Sequence, residues 1–127
     1  KKGVKRDKKR RLQSARKHRE RLVCPEHNVP LVKWNTSFGP RWQCAEPNCT
    51  VACWSGATSS PADDRTRAIR HECHKLFDPL WKNGGLSRDT AYEKLAEVMQ
   101  MSFKDCHIGL MDYEQCERVL QWLQARE

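Results

Sequence analysis

Two short ligand pairs, Cys24-Pro25-Glu26-His27 and Cys44-Ala45-Glu46-Pro47-Asn48-Cys49, constrain this chain more than any other feature, because the 16 residues between them read as a β-hairpin. Val29, Leu31, Val32 and Trp34 form a β-prone run, Asn35 to Pro40 supply turn residues, and Arg41-Trp42-Gln43 resumes a strand. A hairpin returns its two ends to one place, so it carries the second pair back to the first. Thiolate and imidazole suit zinc better than magnesium or calcium, and four such ligands in a tetrahedron make a closed site with no position left for water or substrate. The expectation is one structural Zn2+ held by Cys24, His27, Cys44 and Cys49. Two alternatives stand beside it: Cys53 replaces His27 as the fourth ligand, or the cysteines are simply buried and metal-free.

A chain of 127 residues with 38% hydrophobic residues supports a modest core, so a cross-link of some kind is expected to help hold it. Seven cysteines raise the possibility of disulfides. The odd count, the charged start without an apolar leader core, and the four histidines lying beside or between cysteines (His27, His71, His74, His107) favour metal binding in a reducing compartment, read here as the cytoplasm. No apolar run approaches the roughly 20 residues needed to cross a bilayer, so no membrane partner is expected.

The formal charge of +8 is unevenly spread: residues 1–22 carry 12 Lys/Arg and 2 Asp/Glu, and the remaining residues carry 12 and 14. The basicity therefore belongs to an arm. Only Val4, Leu12, Ala15 and Leu22 interrupt its charge, too few for an apolar stripe, so the arm is expected to be disordered alone and to order as a helix against an anion. Lys5, Arg6, Lys8, Lys9, Arg10, Arg11, Arg16, Lys17, Arg19 and Arg21 are its candidate phosphate contacts, joined by Arg41 from the hairpin. A solubilising tail is the plainer alternative.

Beyond the hairpin, Thr50 to Trp54 is a third β-prone run, and Ser55 to Pro61 break the pattern. From Asp63 the period becomes helical. Ile69, Cys73, Leu76, Phe77, Leu80 and Trp81 share one face, Asp63 or Asp64 caps the start, and Asn83-Gly84-Gly85 ends the helix. A second helix runs from Ser87 with Ala91, Tyr92, Leu95, Ala96 and Met99 inward. A third begins at Asp112, whose spacing to Gln115 writes a capping box, with Cys116, Val119, Leu120 and Leu123 as its core face. The expected fold is small α+β: a basic arm over 1–22, a zinc-ribbon-like hairpin module over 23–60, and a three-helix segment over 61–127 packed on it.

A second set of metal-capable residues, His71, Cys73, His74, Asp78, Cys106 and His107, would converge if the first and third helical segments met. His74 and Asp78 stand one turn apart and can face the same way. A metal-dependent nuclease using His74, Asp78 and His107 is one reading; buried histidines hydrogen-bonded for structure are the favoured one. No Ser-His-Asp signature, Gly-rich phosphate loop or HExxH helix is present, and no enzyme activity is expected. Trp34 and Trp42 are expected to pack across the hairpin, with an exposed base-stacking surface as the alternative, and Trp54, Trp81 and Trp122 fall near core faces.

The stretch Trp42 to Cys116 resembles a zinc-finger-containing domain family of unknown function found chiefly in bacteriophages and prophages. The resemblance is carried by Trp42-x-Cys44 and Cys49, Pro61-Ala62-Asp63, Arg67, Arg70, His74-x-x-Phe77-Asp78-x-Leu80-Trp81, Arg88-x-x-Ala91-Tyr92-x-x-Leu95-Ala96 and Cys106-His107-Ile108-Gly109, with Cys24-Pro25 extending it backwards. This chain has His27 where similar proteins usually have Cys, and a shortened Gly56 to Ser60 segment without their His. The resemblance implies a zinc-bearing fold and a phage or prophage origin, hence the host cytoplasm, but no reaction. With the arm it gives the expectation of a nucleic-acid-binding accessory protein, for DNA or RNA, with weak sequence specificity. The alternative is an interaction protein that binds and modulates a host protein or nucleoprotein complex.

Overall fold

The computed structural model describes residues 22–126. The chain divides into two compact units, the first ending at Asp63 and the second beginning at Asp64. The residues 1–21 predicted to form most of the basic arm, with every candidate phosphate contact except Arg41, lie outside the described residues. Among the described residues, no helix is long and apolar enough to cross a membrane.

The first unit is a three-stranded antiparallel sheet in the order β1-β2-β3, with β1 Val32–Thr36, β2 Gly39–Gln43 and β3 Ala52–Trp54. The β-branched and aromatic residues of β1 favour a pleated strand, as expected. The turn is tighter than the run Asn35 to Pro40 suggested. Asn35 pairs with Pro40 and Thr36 with Gly39, which leaves Ser37 and Phe38 as a two-residue loop. Thr36 Oγ1 accepts from the Phe38 amide at 3.1 Å and donates to the Gly39 carbonyl at 2.7 Å. Gly39 sits at φ +113°, where a side chain would be strained. Ala52 also pairs with Ala62 in an isolated antiparallel bridge that continues the unit towards Asp63.

Register separates the two hairpin tryptophans. Lys33 pairs with Trp42 and Trp34 with Arg41, and residues directly opposite one another share a face. Trp34 and Trp42 therefore lie on opposite faces of the sheet, and the expected packing of one against the other does not occur. Trp42 packs against the small core of Leu22, Cys24, Leu31, Cys44, Val51 and Cys53 and donates its indole N–H to Ser55 Oγ at 2.8 Å. Trp34 is exposed, and Trp54 is more exposed than a core position would be.

The second unit holds helices α1 Asp64–Phe77, α2 Pro79–Lys82, α3 Arg88–Met99 and α4 Tyr113–Ala125, with two single 3₁₀ turns, Phe103–Asp105 and Ile108–Leu110, between α3 and α4. The first helical run was expected to continue through Leu80 and Trp81. It breaks at Asp78 because Pro79 has no N–H to extend the ladder and fits best at the first position of a new turn. Helix α3 starts at Ser87, whose hydroxyl accepts from the Thr90 amide at 3.0 Å, and it buries Ala91, Tyr92, Leu95, Ala96 and Met99 as their spacing predicts. These meet Ile69, Cys73 and Phe77 of α1 and Cys116, Val119 and Leu123 of α4 in one core, where the Phe77 and Tyr92 rings stand edge to face at 4.8 Å. Arg70 is buried and donates from Nε to the Met111 carbonyl at 2.8 Å, tying α1 to the segment before α4.

Helix α4 opens with the capping box read from sequence. Asp112 Oδ1 accepts from the Gln115 amide at 2.8 Å, and Gln115 Oε1 accepts from the Asp112 amide at 2.9 Å. Asp112→Ala removes one of these bonds and weakens the other, so we expect it to lower the stability of the helical unit by about 1 kcal/mol. A fall in the denaturant midpoint followed by far-ultraviolet circular dichroism checks this.

Candidate metal centre

Both ligand pairs sit on tight turns at the base of the hairpin. In the first, the Asn28 amide donates to the Cys24 carbonyl and the Cys24 amide to the Val29 carbonyl, each at 2.8 Å, so the chain wraps around Cys24 and His27. The wrap requires Asn28 at φ +56°, a left-handed conformation that asparagine tolerates better than most residues. The second repeats the device. The Cys49 amide donates to the Glu46 carbonyl at 3.2 Å, the Glu46 amide points at Cys44 Sγ at 3.5 Å, and Asn48 lies at φ +65°. Sequence reasoning took the four ligands and missed the two asparagines that shape their turns. An Asn next to the last residue of each Cys/His pair was the available signal.

Cys24, His27, Cys44 and Cys49 place their ligand atoms all within 4.8 Å of one another. His27 Nδ1 lies 3.5 Å from Cys24 Sγ and 3.7 Å from Cys44 Sγ, and Cys24 Sγ lies 3.7 Å from Cys49 Sγ. Tetrahedral bonds of about 2.3 Å to sulfur and about 2.0–2.1 Å to nitrogen give edges of about 3.8 Å between sulfurs and about 3.5 Å between sulfur and nitrogen. The three separations of 3.5, 3.7 and 3.7 Å are close to those edges, and the remaining pairs lie within 4.8 Å. None of the seven cysteines is joined in a disulfide.

The comparison with protein families is equally direct: a profile of the zinc-finger-containing domain family matches residues 27–126. This chain belongs to that family. The match takes in His27, Cys44 and Cys49 and begins three residues after Cys24, so three of the four cluster residues lie within the zinc-finger-containing domain. No curated protein and no solved structure matches the chain.

Protonation prepares the cluster for a cation. Burial opposes ionisation of Cys24, yet hydrogen bonds from the His27 ring, the His27 and Glu26 amides and Cys44 bring its thiol down to about 7. His27 is raised above the usual imidazole value, chiefly by its hydrogen bond to Cys24, against a smaller opposing effect of burial. The Val51 amide favours the Cys49 thiolate, but burial and the neighbouring Cys44 and Cys24 sulfurs push that thiol up to about 11. Thiolate and neutral imidazole are the forms that bind a metal, so metal uptake would displace protons from Cys49 and His27. Glu26 adds a carboxylate oxygen 4.0 Å from Cys49 Sγ.

The alternative ligand Cys53 is buried on β3, opposite Trp42, and is not a member of the cluster. The second set of residues does not converge. Among the described residues the Cys24 cluster is the one group of three or more metal-capable side chains that comes together. His71 is exposed on α1, and Cys73 donates its thiol to the Cys116 carbonyl at 3.3 Å within the helical core. The neighbouring Cys116 sulfur and burial hold the Cys73 thiol well above its ordinary value. His74 Nδ1 lies 3.7 Å from Asp78 Oδ1 at the end of α1. Burial raises the Cys106 thiol, and Cys106 and His107 line a small cleft of about 140 Å³ with Arg88, Tyr92, Phe103 and Lys104. Arg41, the one described candidate phosphate contact, lies on β2 with its guanidinium 4.7 Å from the centre of the Trp54 ring.

Two outcomes follow for metal binding. His27→Ala and Cys49→Ser should each abolish or greatly weaken uptake of one metal ion per chain, whereas Cys53→Ala should retain it; metal content after gel filtration separates these. Ligands bind as thiolate and neutral imidazole, so protons compete as pH falls through the Cys24 value of about 7 and the raised His27 value. Affinity measured against a chromophoric chelator should therefore drop between about pH 8 and about pH 6.

Proposed function

We propose that this protein is a zinc-stabilised nucleic-acid-binding accessory protein that grips phosphates with its basic arm. Zinc is the favoured ion because three thiolates and an imidazole form a soft, tetrahedral donor set that suits it better than hard cations. Four protein ligands leave no open position, so the ion supplies folding free energy and no catalysis. The observation that carries the reading is the charge distribution: a surplus of ten positive charges over residues 1–22 precedes a body that is nearly neutral. Leu22, the last residue of that stretch, is buried in the small core, and its carbonyl accepts from the Leu31 amide at 3.0 Å, so the arm is joined directly to the metal-bearing module.

Contacts between Lys or Arg and phosphate give affinity that falls with salt and carries no sequence information. Weak base specificity follows, for DNA and RNA alike. A site built on thiolate ligands accords with a reducing compartment, and a phage or prophage origin would make this the host cytoplasm. No catalytic role is assigned. The second reading, an interaction protein that docks on a host protein or nucleoprotein complex, draws on the exposed apolar residues Val32, Trp34 and Phe38 of the hairpin.

Binding of the zinc-loaded protein to labelled duplex DNA, single-stranded DNA and RNA across a salt series, beside a chain beginning at Leu22, tests the proposal. Logarithmic affinity should fall linearly with logarithmic salt for the full chain, and removal of residues 1–21 should abolish most binding. Equal binding by the two proteins would refute a role for the arm.

A further inference from the structure

The β-sheet carries a feature that phosphate binding does not use. Trp34 pairs with Arg41, and Arg41 pairs with Trp54, so the three side chains form one row across β1, β2 and β3 on a single face. Trp42 and Cys53, the next residues in register, belong to the opposite face, where the small core lies. The Trp34 row is the outer face. Trp34 is 58% exposed and Trp54 40% exposed, and the Arg41 guanidinium lies 4.7 Å from the Trp54 ring centre. Val32, two residues before Trp34 and on the same face, is also exposed, and Phe38 stands at the hairpin tip with 88% of its surface in solvent.

We infer that this row is a stacking platform for the bases of an unpaired nucleic-acid strand. Adjacent strands lie about 4.8 Å apart, so the backbone positions of Trp34 and Trp54 are separated by roughly 10 Å, with Arg41 on the strand between them and its guanidinium over the Trp54 ring. Flat aromatic rings bind the faces of bases. In a duplex those faces are covered by neighbouring pairs; in a single strand they are free, and each base stacked on an aromatic contributes about 1–3 kcal/mol without regard to sequence. A guanidinium plane held by an aromatic ring can stack on a base or meet a phosphate. Charge decides for this occupant over an apolar protein surface, because the platform carries Arg41 and belongs to a chain whose first 22 residues hold 12 Lys/Arg. The inference rests on the nucleic-acid reading and adds to it a preference for unpaired strands.

The test uses the full zinc-loaded chain with a fluorescein-labelled oligothymidine and a labelled hairpin duplex of similar length, read by anisotropy at several salt concentrations. Trp34→Ala should weaken single-strand binding about fivefold or more, with duplex binding and the salt slope unchanged, and Trp34→Phe should recover most of the loss. Trp54→Ala should act in the same direction, its zinc content being measured first to confirm that the module is intact. Trp34 is 58% exposed and lies outside the small core, so its variant, with zinc content checked in the same way, decides should Trp54→Ala lose zinc. Single-strand binding unchanged by Trp34→Ala, or reduced equally for duplex, overturns the platform while leaving the arm's role standing. Failure of the unaltered chain to bind either acid at low salt removes the nucleic-acid reading and the platform with it.

Discussion

The meeting of four ligand atoms at the base of the hairpin is the contact on which the first unit depends. Its core of Leu22, Cys24, Leu31, Cys44, Val51 and Cys53 is small, and two of those six residues are ligands. A segment of about 40 residues is near the size at which apolar burial alone fails to hold a fold and a metal or disulfide is needed. The chain has no disulfide, so the cluster is the available cross-link. It fixes Cys24 beside Cys49, separated by a hairpin and a second turn, and so sets where β1 and β3 lie. The helical unit rests on different physics. Its fourteen buried apolar residues come from three helices and the intervening turns, and Arg70 and the Asp112 cap satisfy backbone groups at their edges.

Much of this was legible in the sequence because it is written in local rules. The paired ligands with their hairpin, the inward faces of α3 and α4, and the Asp112–Gln115 capping box each follow from spacing within a few residues. Features that depend on register were not legible. A shift of one residue between strands decides whether two side chains share a face, and composition does not reveal it. Trp34 and Trp42 looked equivalent; the Lys33–Trp42 and Trp34–Arg41 pairs send one to the core and the other to solvent. The break at Pro79 had a plain local cause that the apolar periodicity through Trp81 masked. The convergence considered for His71, His74 and His107 is absent because α1 turns His71 to solvent and places Cys73 against α4.

Under the proposed function, affinity and selectivity divide between segments of different character. Residues 1–22 concentrate charge without an apolar stripe, and they would act through long-range attraction, which salt screens. The sheet contributes little net charge but holds Trp34, Arg41 and Trp54 in fixed register. A metal at the base of the hairpin would hold that register, and a ring held in place loses less entropy on stacking than one on a loose loop. A metal bound at the cluster would thus be linked to register and exposed aromatics, since the turns that carry the four ligand residues lead into the strands that carry the rings.

The most direct test of the central claim, that a metal ion holds the sheet module together, is an amide-resolved NMR titration of the full chain with zinc and then with a chelator. Uptake of one zinc ion per chain, with amides of residues 22–63 losing dispersion on chelation while those of 64–126 keep theirs, is the expected result. Unchanged spectra for residues 22–63 after complete metal removal would contradict the claim and leave the small apolar core as the sufficient cause of the fold.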